Sequence, residues 1–356
     1  MSEWLKEPAW KASIRLLAYR GFESPSLRHL QLILMQKINI GNITLNSNVI
    51  LAPMAGITDY PFRRIVRRFG EFLMYSEMIA SYAAIRDVYK TRNMMDTKND
   101  PLTAVQIVGA DPEVMAEAAK LSYDLGAKIL DINMGCPVKK IVKSEAGSAL
   151  MKNEKLAADI IKSVVNSVPI PVTLKIRLGW DNEHLNAPNI AHIAEDLGIK
   201  MVTVHGRTRS QLYSGKSNWK YISKVKEVIN IPLIVNGDIV SVDTAKQALY
   251  ESGADGVMIG RASLGNPWLL QYIDNALNNK EVIEISNEEK YKTAKDNMQY
   301  VLDYYSGNTG MILAKKTLMY YCKGHYNATK YRSLMSSNEI NTPQDLFNIL
   351  DILYNK

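Results

Sequence analysis

Residues 128–137 read Lys-Ile-Leu-Asp-Ile-Asn-Met-Gly-Cys-Pro, an apolar, strand-like run that ends at a cysteine followed by a proline. Proline disfavours the helical conformation for the residue before it, so we expect Cys136 to be held extended where the strand ends. Gly135 lets the backbone approach a ligand closely. A cysteine in this position either packs as a small apolar residue or presents its thiol at the rim of the fold.

Seven further apolar runs of similar character alternate with amphipathic helical stretches along the chain. The eight predicted strands are residues 49–54, 72–76, 103–107, 128–133, 172–176, 201–205, 233–236 and 256–259. No G-x-G-x-x-G follows the first strand, which disfavours a doubly wound sheet. Repeated strand–helix units therefore predict an α/β fold with a (β/α)8 TIM barrel.

The chain divides into three predicted segments. Residues 1–35 lack steady periodicity, and we expect an extension that is disordered or not part of the native chain, with Met35 as an alternative start. Residues 36–280 are predicted to form the barrel. Residues 281–356 lack strand signals and show helical patterns, which predicts a small, all-helical C-terminal domain.

In a TIM barrel the active site is built at the carboxyl ends of the strands. Chemically capable residues follow the predicted strands at this end: Pro53-Met54-Ala55, Gln106, Asn133, Cys136, Lys175, Arg177, His205, Arg207, Arg209, Asn236-Gly237-Asp238 and Gly260-Arg261. Each can individually be an ordinary rim residue. Their repetition at one end of successive strands predicts a shared site.

The last two strand ends are typical of a phosphate site, although two ordinary turns are the alternative. Gly237 and Gly260 let backbone N–H groups face a phosphate, and Arg261 offers charge-assisted hydrogen bonds. A cation such as Lys175 beside a planar ring stabilises negative charge on its reduced form. The flat amide of Gln106, together with Lys175 and His205, could contact such a ring, and the first loop Pro53-Met54-Ala55 could offer backbone groups and an apolar face. With the phosphate residues Asn236, Gly237, Asp238, Gly260 and Arg261, these groups suggest bound flavin mononucleotide (FMN).

Beside a reduced flavin, Cys136 is suited to be a general acid that protonates the substrate. A nucleophilic cysteine needs a base at its side, and His205, the candidate, has an equally good role on the flavin. The five histidines are scattered and the two cysteines are far apart in sequence, so no metal site is expected.

Composition limits the class of protein. Two cysteines in 356 residues predict a cytoplasmic location without disulfides, and no apolar run is long enough to predict a membrane span. The net charge of +7 suits a polyanionic partner or serves solubility. We expect a monomer with no obligate protein partner.

Two groups of cations are candidates for contact with nucleic acid. Arg63, Arg64, Arg67 and Arg68 form either a solvated helix face or a set of phosphate contacts. In the C-terminal segment, Lys315 and Lys316 precede Tyr320 and Tyr321, a mixture that suits RNA but also occurs where tyrosines are half-buried by packing.

These motifs resemble the tRNA-dihydrouridine synthases, closest to the B-type bacterial branch. The resemblance covers roughly residues 36–335 and is carried by Ala52-Pro53-Met54-Ala55-Gly56-Ile57-Thr58-Asp59, Asn133-Met134-Gly135-Cys136-Pro137, Lys175-Ile176-Arg177, His205-Gly206-Arg207-Thr208-Arg209, Tyr213-Ser214-Gly215, Asn236-Gly237-Asp238-Ile239 and Ile259-Gly260-Arg261. The chain departs from the family at Lys315-Lys316-Thr317, where Arg-Lys-His is common.

The resemblance implies an FMN enzyme that reduces the C5=C6 bond of uridines in tRNA, with NADPH or NADH as reductant. By motif, Cys136 would donate the proton to C5, and the flavin residues named above would hold FMN. Contacts with the substrate or tRNA would come from Asn133, Arg177, Arg207, Arg209, Lys315 and Lys316. The target base would have to be flipped out of its stack.

Two other functions remain open from the sequence. The first is an FMN barrel that reduces a free, pyrimidine-like small molecule, which would not need a cation-rich C-terminal segment. The second is a tRNA-binding protein with a vestigial flavin site, which would not need intact Cys136, Lys175 and His205.

Overall fold

The computed structural model describes residues 36–86, 94–95, 97, 100, 102–335 and 339–356. The prediction for residues 1–35 lies outside the described residues. Residues 36–356 belong to one compact unit. The boundary predicted between residues 280 and 281 stays a prediction.

The strands of the described residues, in chain order, are β1 (Asn39–Ile40), β2 (Ile43–Thr44), β3 (Val49–Leu51), β4 (Met74–Tyr75), β5 (Ile79–Ala80), β6 (Thr103–Val108), β7 (Ile129–Met134), β8 (Val172–Arg177), β9 (Val202–His205), β10 (Leu233–Asn236) and β11 (Gly256–Ile259). The α-helices are α1 (Tyr60–Arg67), α2 (Ser81–Ile85), α3 (Pro112–Asp124), α4 (Lys139–Val142), α5 (Glu154–Ser167), α6 (Ala187–Asp196), α7 (Trp219–Lys226), α8 (Val242–Ser252), α9 (Leu269–Leu277), α10 (Asn287–Tyr304), α11 (Gly307–Tyr321), α12 (Ala328–Met335) and α13 (Pro343–Tyr354).

Eight parallel strands form a barrel in the order β3-β11-β10-β9-β8-β7-β6-β4, and β5 pairs with β6 beside it. The barrel closes between β3 and β4, where the Leu51 N–H donates to the Leu73 carbonyl at 3.0 Å. The predicted (β/α)8 barrel followed by a helical C-terminal region is therefore confirmed.

The hairpin β1–β2 covers the amino ends of the barrel strands. Gly41 has a φ of 61°, which allows the two-residue turn between its strands. Ile38, Ile40 and Leu45 are buried in one cluster with residues from the amino ends of several strands, including Ile234. The hairpin thus closes one end of the barrel and leaves the carboxyl ends for a site.

The four arginines after β3 all make contacts within the protein, and Arg64 and Arg68 also stay exposed on the helix face. Arg63 and Arg67 both pair with the Asp100 carboxylate, at 2.9 and 2.8 Å. Arg68 pairs with Glu289 and Asp296 on α10, at 2.7 and 2.8 Å. The guanidinium of Arg64 lies over the Tyr300 ring of α10, 3.8 Å from its centroid. These contacts tie the C-terminal helices to α1.

The C-terminal helices also contact the loop after β3. Tyr305 donates to the Asp59 carboxylate at 3.0 Å, and Lys316 Nζ donates to the Gly56 carbonyl at 2.7 Å. The helical region therefore stands directly beside the first loop of the barrel mouth. Within the described residues, no helix combines the length and the apolar character that crossing a membrane requires.

Candidate active site

The loop that carries Cys136 is held from both sides. The Asn133 Oδ1 accepts hydrogen bonds from the N–H groups of Gly135 and Cys136, at 3.1 and 2.9 Å. The Cys136 carbonyl accepts from the N–H and the hydroxyl of Ser148, at 3.0 and 2.8 Å. The Cys136 side chain is half-buried. Its loop is thus fixed by Asn133 on β7 and by Ser148 in the 3₁₀ helix Gly147–Lys152.

The surroundings of the Cys136 thiol favour its protonated form. Burial raises the pKa of the thiol above its ordinary value, while the nearby cations Arg177 and Lys175 oppose this rise. A raised pKa keeps the proton on sulfur, which suits a general acid better than a thiolate nucleophile.

A chain of buried amides connects Cys136 to Asp131 in the barrel interior. The Asp131 carboxylate accepts from Gln106 Nε2 at 2.7 Å and from the Thr173 hydroxyl at 2.5 Å. The Gln106 Oε1 in turn accepts from Asn133 Nδ2 at 2.8 Å. Because a carboxylate can only accept, Asp131 fixes the orientation of both amides and so directs Asn133 Oδ1 at the Cys136 loop.

Asp131 has a role that the sequence analysis missed. It is fully buried, and burial raises its pKa to about 6, so the carboxylate is ionised at neutral pH. The sequence did contain a signal for this role. Asp131 lies between apolar residues of a predicted strand, and a carboxylate buried there requires hydrogen-bond partners. Gln106 is also fully buried. The expected contact between Gln106 and a cofactor stays a prediction.

Lys175, His205 and Asn236 lie at the carboxyl ends of three consecutive strands. Lys175 Nζ donates to Asn236 Oδ1 at 3.2 Å, and Asn236 Nδ2 donates to the Met258 carbonyl at 2.8 Å. Burial, reinforced by Arg177, lowers the pKa of Lys175 to about 8. Burial and four nearby cations hold the pKa of His205 well below its ordinary value. The site therefore pairs a charged lysine with a neutral imidazole.

Gly237 forms a cradle beside His205. Its φ is 110°, and a Cβ at this position would lie 2.6 Å from Cδ2 of His205 and 2.2 Å from the hydroxyl of Ser217. Only glycine allows the backbone to lie this close to the imidazole. The next residue, Asp238, accepts from the Ser217 N–H and from Arg207, at 2.8 and 2.6 Å.

The first and last loops of the barrel meet at the same mouth. A Cβ on Gly260 would lie 3.7 Å from the Ala52 Cβ and 3.8 Å from the Met54 sulfur. The Arg261 side chain is 60 % exposed and lies 3.7 Å from the Asp238 carboxylate. Its guanidinium remains accessible to an anion. Pro53 and Met54 are half-buried, and Ala55 is exposed.

Arg177 and Arg207 are placed below the surface. Arg177 is 2 % exposed, and it donates to the carbonyls of Gly135, Thr208 and Leu212, each at 2.8 Å. It therefore connects the Cys136 loop to the loop after β9. Arg207, also 2 % exposed, donates to the Gly215 carbonyl and pairs with Asp238. Their expected contact with substrate or tRNA stays a prediction.

The other candidate RNA residues lie around the mouth. Arg209 is half-buried, and its guanidinium lies 4.4 Å from the centroid of the Trp180 ring. Lys316 contacts the first loop through Gly56. Its neighbour Lys315 lies near a different group, Asp345 at the start of α13. Hydrogen bonds from Thr342 and Asn341 lower the pKa of Asp345, and the charge of Lys315 adds a smaller effect. The two consecutive lysines thus lie near different parts of the structure, Lys316 near the first loop and Lys315 near the start of α13.

Comparison with known proteins gives a consistent result. The family model "Dihydrouridine synthase (Dus)" matches residues 50–354. A probable tRNA-dihydrouridine synthase of Rickettsia bellii is 48% identical over 309 residues, which are 86% of this chain and 94% of that protein. The tRNA-dihydrouridine synthase B of Pseudomonas syringae is 40% identical over 307 residues, 86% of this chain and 91% of that protein.

A solved structure shares the fold at low identity. The old yellow enzyme homologue of Zymomonas mobilis matches with a TM-score of 0.51 and 14% identity, over 72% of this chain and 96% of that one. At this identity the likeness concerns the barrel alone.

Proposed function

This chain belongs to the dihydrouridine synthase family, and we propose from this membership that it reduces the C5=C6 bond of a uridine in tRNA with FMN as its bound cofactor. We further propose that NADPH or NADH recharges the flavin. The observation that carries the proposal is the half-buried thiol of Cys136, in a loop that Asn133 and Ser148 hold at the barrel mouth.

The residues at the mouth suit FMN. The backbone of Gly237 packs directly against His205, where any Cβ would collide with the imidazole, so this loop holds a fixed position at the mouth. Arg261, with its exposed guanidinium beside Asp238, would take the phosphate together with the backbone of Gly260. The remaining contacts would come from Pro53, Met54, Ala55, Gln106, Lys175, Asn236 and Asp238.

When bound, FMN supplies the hydride for C6 of the uracil ring. The task of this chain is then the proton at C5, and Cys136 is the residue suited to donate it. If the flavin ring lies beside Lys175, the charged ammonium would stabilise negative charge on the reduced ring, and His205 would stay neutral. A base stacked in an RNA helix cannot enter the barrel mouth, so the uridine must be flipped out.

A steady-state assay tests the proposal against the small-molecule alternative. The purified protein is given NADPH with unmodified tRNA, or with free uridine in place of tRNA, and dihydrouridine is counted in the product. We expect flavin absorbance and dihydrouridine in tRNA. Flavin with NADPH oxidation but without modified tRNA would favour the enzyme for a small substrate, and a colourless protein that binds tRNA would favour the binding protein.

The turnover rate is expected to fall as pH rises through about 8, because the pKa of Lys175 is lowered to about 8. Below this pH the ammonium is present, and above it the positive charge is lost. The measurement is a pH profile of dihydrouridine formation at saturating NADPH and tRNA. In Lys175→Arg the side chain stays charged, so an alkaline limb that persists near the same pH in this variant would assign the titration to another group.

Replacement of Lys316 is expected to weaken tRNA binding more than replacement of Lys315. Lys316 stands beside the first loop of the mouth, whereas Lys315 lies near Asp345 at the start of α13. Loss of one phosphate contact should reduce the slope of log Kd against log salt by about 1. We would measure tRNA binding by Lys316→Ala and Lys315→Ala at several salt concentrations. Equal slopes for the two variants would contradict the assignment of Lys316 to the RNA surface.

A further inference from the structure

Three buried polar side chains, Asp131, Gln106 and Asn133, form a polar row between the barrel interior and the loop of Cys136. Asp131 and Asn133 lie two residues apart on β7, so their side chains point to the same face of the strand. Gln106 on β6 is paired with Asp131 in the register of the two strands. Asp131 and Gln106 are fully buried, and Asn133 is 7 % exposed. Each of the three side chains therefore depends on protein partners for its hydrogen bonds.

The hydrogen bonds of the polar row run in one direction. Asn133 Oδ1 accepts from the N–H groups of Gly135 and Cys136. Asn133 Nδ2 donates to Gln106 Oε1, and Gln106 Nε2 donates to Asp131 Oδ2 at 2.7 Å. Backbone N–H groups cannot accept, and an ionised carboxylate cannot donate. The direction is therefore fixed at both ends, and the polar row ends on an acceptor that Gln106 requires.

The peptide groups on both sides of Cys136 depend on the polar row. Arg177 holds the Gly135 carbonyl and Ser148 holds the Cys136 carbonyl, each at 2.8 Å. The N–H groups of the same two residues are held by Asn133. Together these contacts set the direction of the Cα–Cβ bond of Cys136 and thus the place of its thiol. A displacement of about 1 Å at a reacting group can cost about 10²-fold in rate.

The polar row loses its end if residue 131 offers no acceptor. Gln106 Nε2 then becomes a buried donor without a partner, which is an unfavourable state that rotation of the amide relieves. A rotated Gln106 no longer presents Oε1 to Asn133. Asn133 is then free to leave the position in which it accepts from the two N–H groups. A change at Asp131 would thus reach the Cys136 loop through two intervening side chains.

We propose that Asp131 is a positioning residue for the proton transfer from Cys136, and that it acts as a hydrogen-bond acceptor and not as a charge. The inference rests on the proposed function, because it concerns the proton that Cys136 donates. Asp131 touches neither the thiol nor the reacting ring in this account. Its effect is carried by the polar row.

Thr173 allows the acceptor and the charge to be tested separately. Its hydroxyl donates to Asp131 Oδ1 at 2.5 Å and lies 3.4 Å from the Leu130 carbonyl. A hydroxyl can both donate and accept. If residue 131 carries an amide, the Thr173 hydroxyl can accept from the amide nitrogen and donate to Leu130. The amide oxygen then stays directed at Gln106.

The test compares Asp131→Asn, which keeps the acceptor, with Asp131→Leu, which removes it at similar size. We expect Asp131→Asn to keep most of the wild-type rate of dihydrouridine formation. Asp131→Leu should lose about 10²-fold, as for a misplaced reacting group. Thr203→Val on β9 is the matched control, because Thr203 is 1 % exposed and its hydroxyl has no hydrogen-bond partner among the described residues. This control should react as the wild type does.

The two half-reactions of the flavin-loaded protein are measured separately. They are reduction of the flavin by NADPH and its reoxidation by unmodified tRNA, and in the proposed function only the second uses the Cys136 thiol. Asp131→Leu should slow reoxidation and leave flavin content and reduction little changed. Unchanged reoxidation in Asp131→Leu, or equal losses in Asp131→Leu and Asp131→Asn, would overturn the proposal.

A double-variant cycle tests the connection through Gln106. Asn133→Ala already cuts the polar row, so Asp131→Leu in this background should cost no further rate of reoxidation. Losses in free energy that add would show that Asp131 and Asn133 act independently, and would also overturn the proposal.

Two further outcomes are decided in the same experiment. If Asp131→Leu does not fold, the smaller Asp131→Val takes its place. If that variant also fails to fold, a folded Asp131→Asn protein with slow reoxidation overturns the proposal by itself, and one with normal reoxidation supports it. A wild-type protein that forms no dihydrouridine would instead contradict the proposed function.

Discussion

Cys136→Ala is expected to retain its flavin and to lose about 10²–10⁴-fold in the rate of dihydrouridine formation, the usual contribution of a general acid. The loop around Cys136 is held through backbone groups by Asn133 and Ser148, so removal of the sulfur leaves its path unchanged. The thiol keeps its proton because burial raises its pKa. The loss should therefore appear in the proton transfer and leave cofactor binding intact.

The measurement compares dihydrouridine formed per unit time by equal amounts of flavin-loaded wild type and variant. Cys322→Ala is the control, because Cys322 is the other free cysteine and is buried among the C-terminal helices. We expect this control to remain active. Equal turnover by Cys136→Ala and wild type would contradict the role assigned to the thiol.

Gly237→Ala is expected to abolish retention of FMN. The new Cβ would lie 2.6 Å from the His205 ring and 2.2 Å from the Ser217 hydroxyl, at a φ of 110°. Displacement of the loop or of His205 costs about 1–3 kcal/mol for overpacking, in addition to backbone strain of about 1–3 kcal/mol. Both changes act on the cradle where we propose that the cofactor lies.

Gly324→Ala is the control that separates the effect of backbone strain from the effect of a colliding Cβ. Gly324 also has a positive φ, 89°, but a Cβ there meets nothing within 4 Å. This variant should lose some thermal stability through strain and keep its flavin. The measurement is the ratio of flavin to protein absorbance after gel filtration, together with Tm. A Gly237→Ala protein that keeps its full flavin content would contradict the placement of the cofactor.

The barrel strands were predictable because each lies within an apolar run of four to six residues, although β4 itself spans only Met74–Tyr75. The hairpin β1–β2 and strand β5 were not, since each strand has two residues and depends on tertiary packing. The helical character of the C-terminal segment was predicted. Its first helix, α10, begins at Asn287, where Ser286 accepts from the Glu289 N–H as its N-cap.

The partners of charged residues were not predictable. Arg63 finds Asp100 at a separation of 37 residues, and Arg177 reaches carbonyls on two loops that are distant in sequence. The hydrophobic pattern of the sequence predicts whether an arginine lies near a strand end or on a helix face. It does not predict which carboxylate or carbonyl oxygens lie next to the guanidinium in the folded protein. The role of Asp131 was missed for the same reason, because Gln106 lies on the neighbouring strand.

The most direct test of the central claim is a single turnover. The flavin-loaded protein is reduced with NADPH in the absence of oxygen, freed of excess reductant, and mixed with unmodified tRNA while flavin absorbance is followed. Our account predicts that the flavin is reoxidised and that dihydrouridine appears in equal amount. Flavin that stays reduced with tRNA but is reoxidised by a free pyrimidine would contradict it.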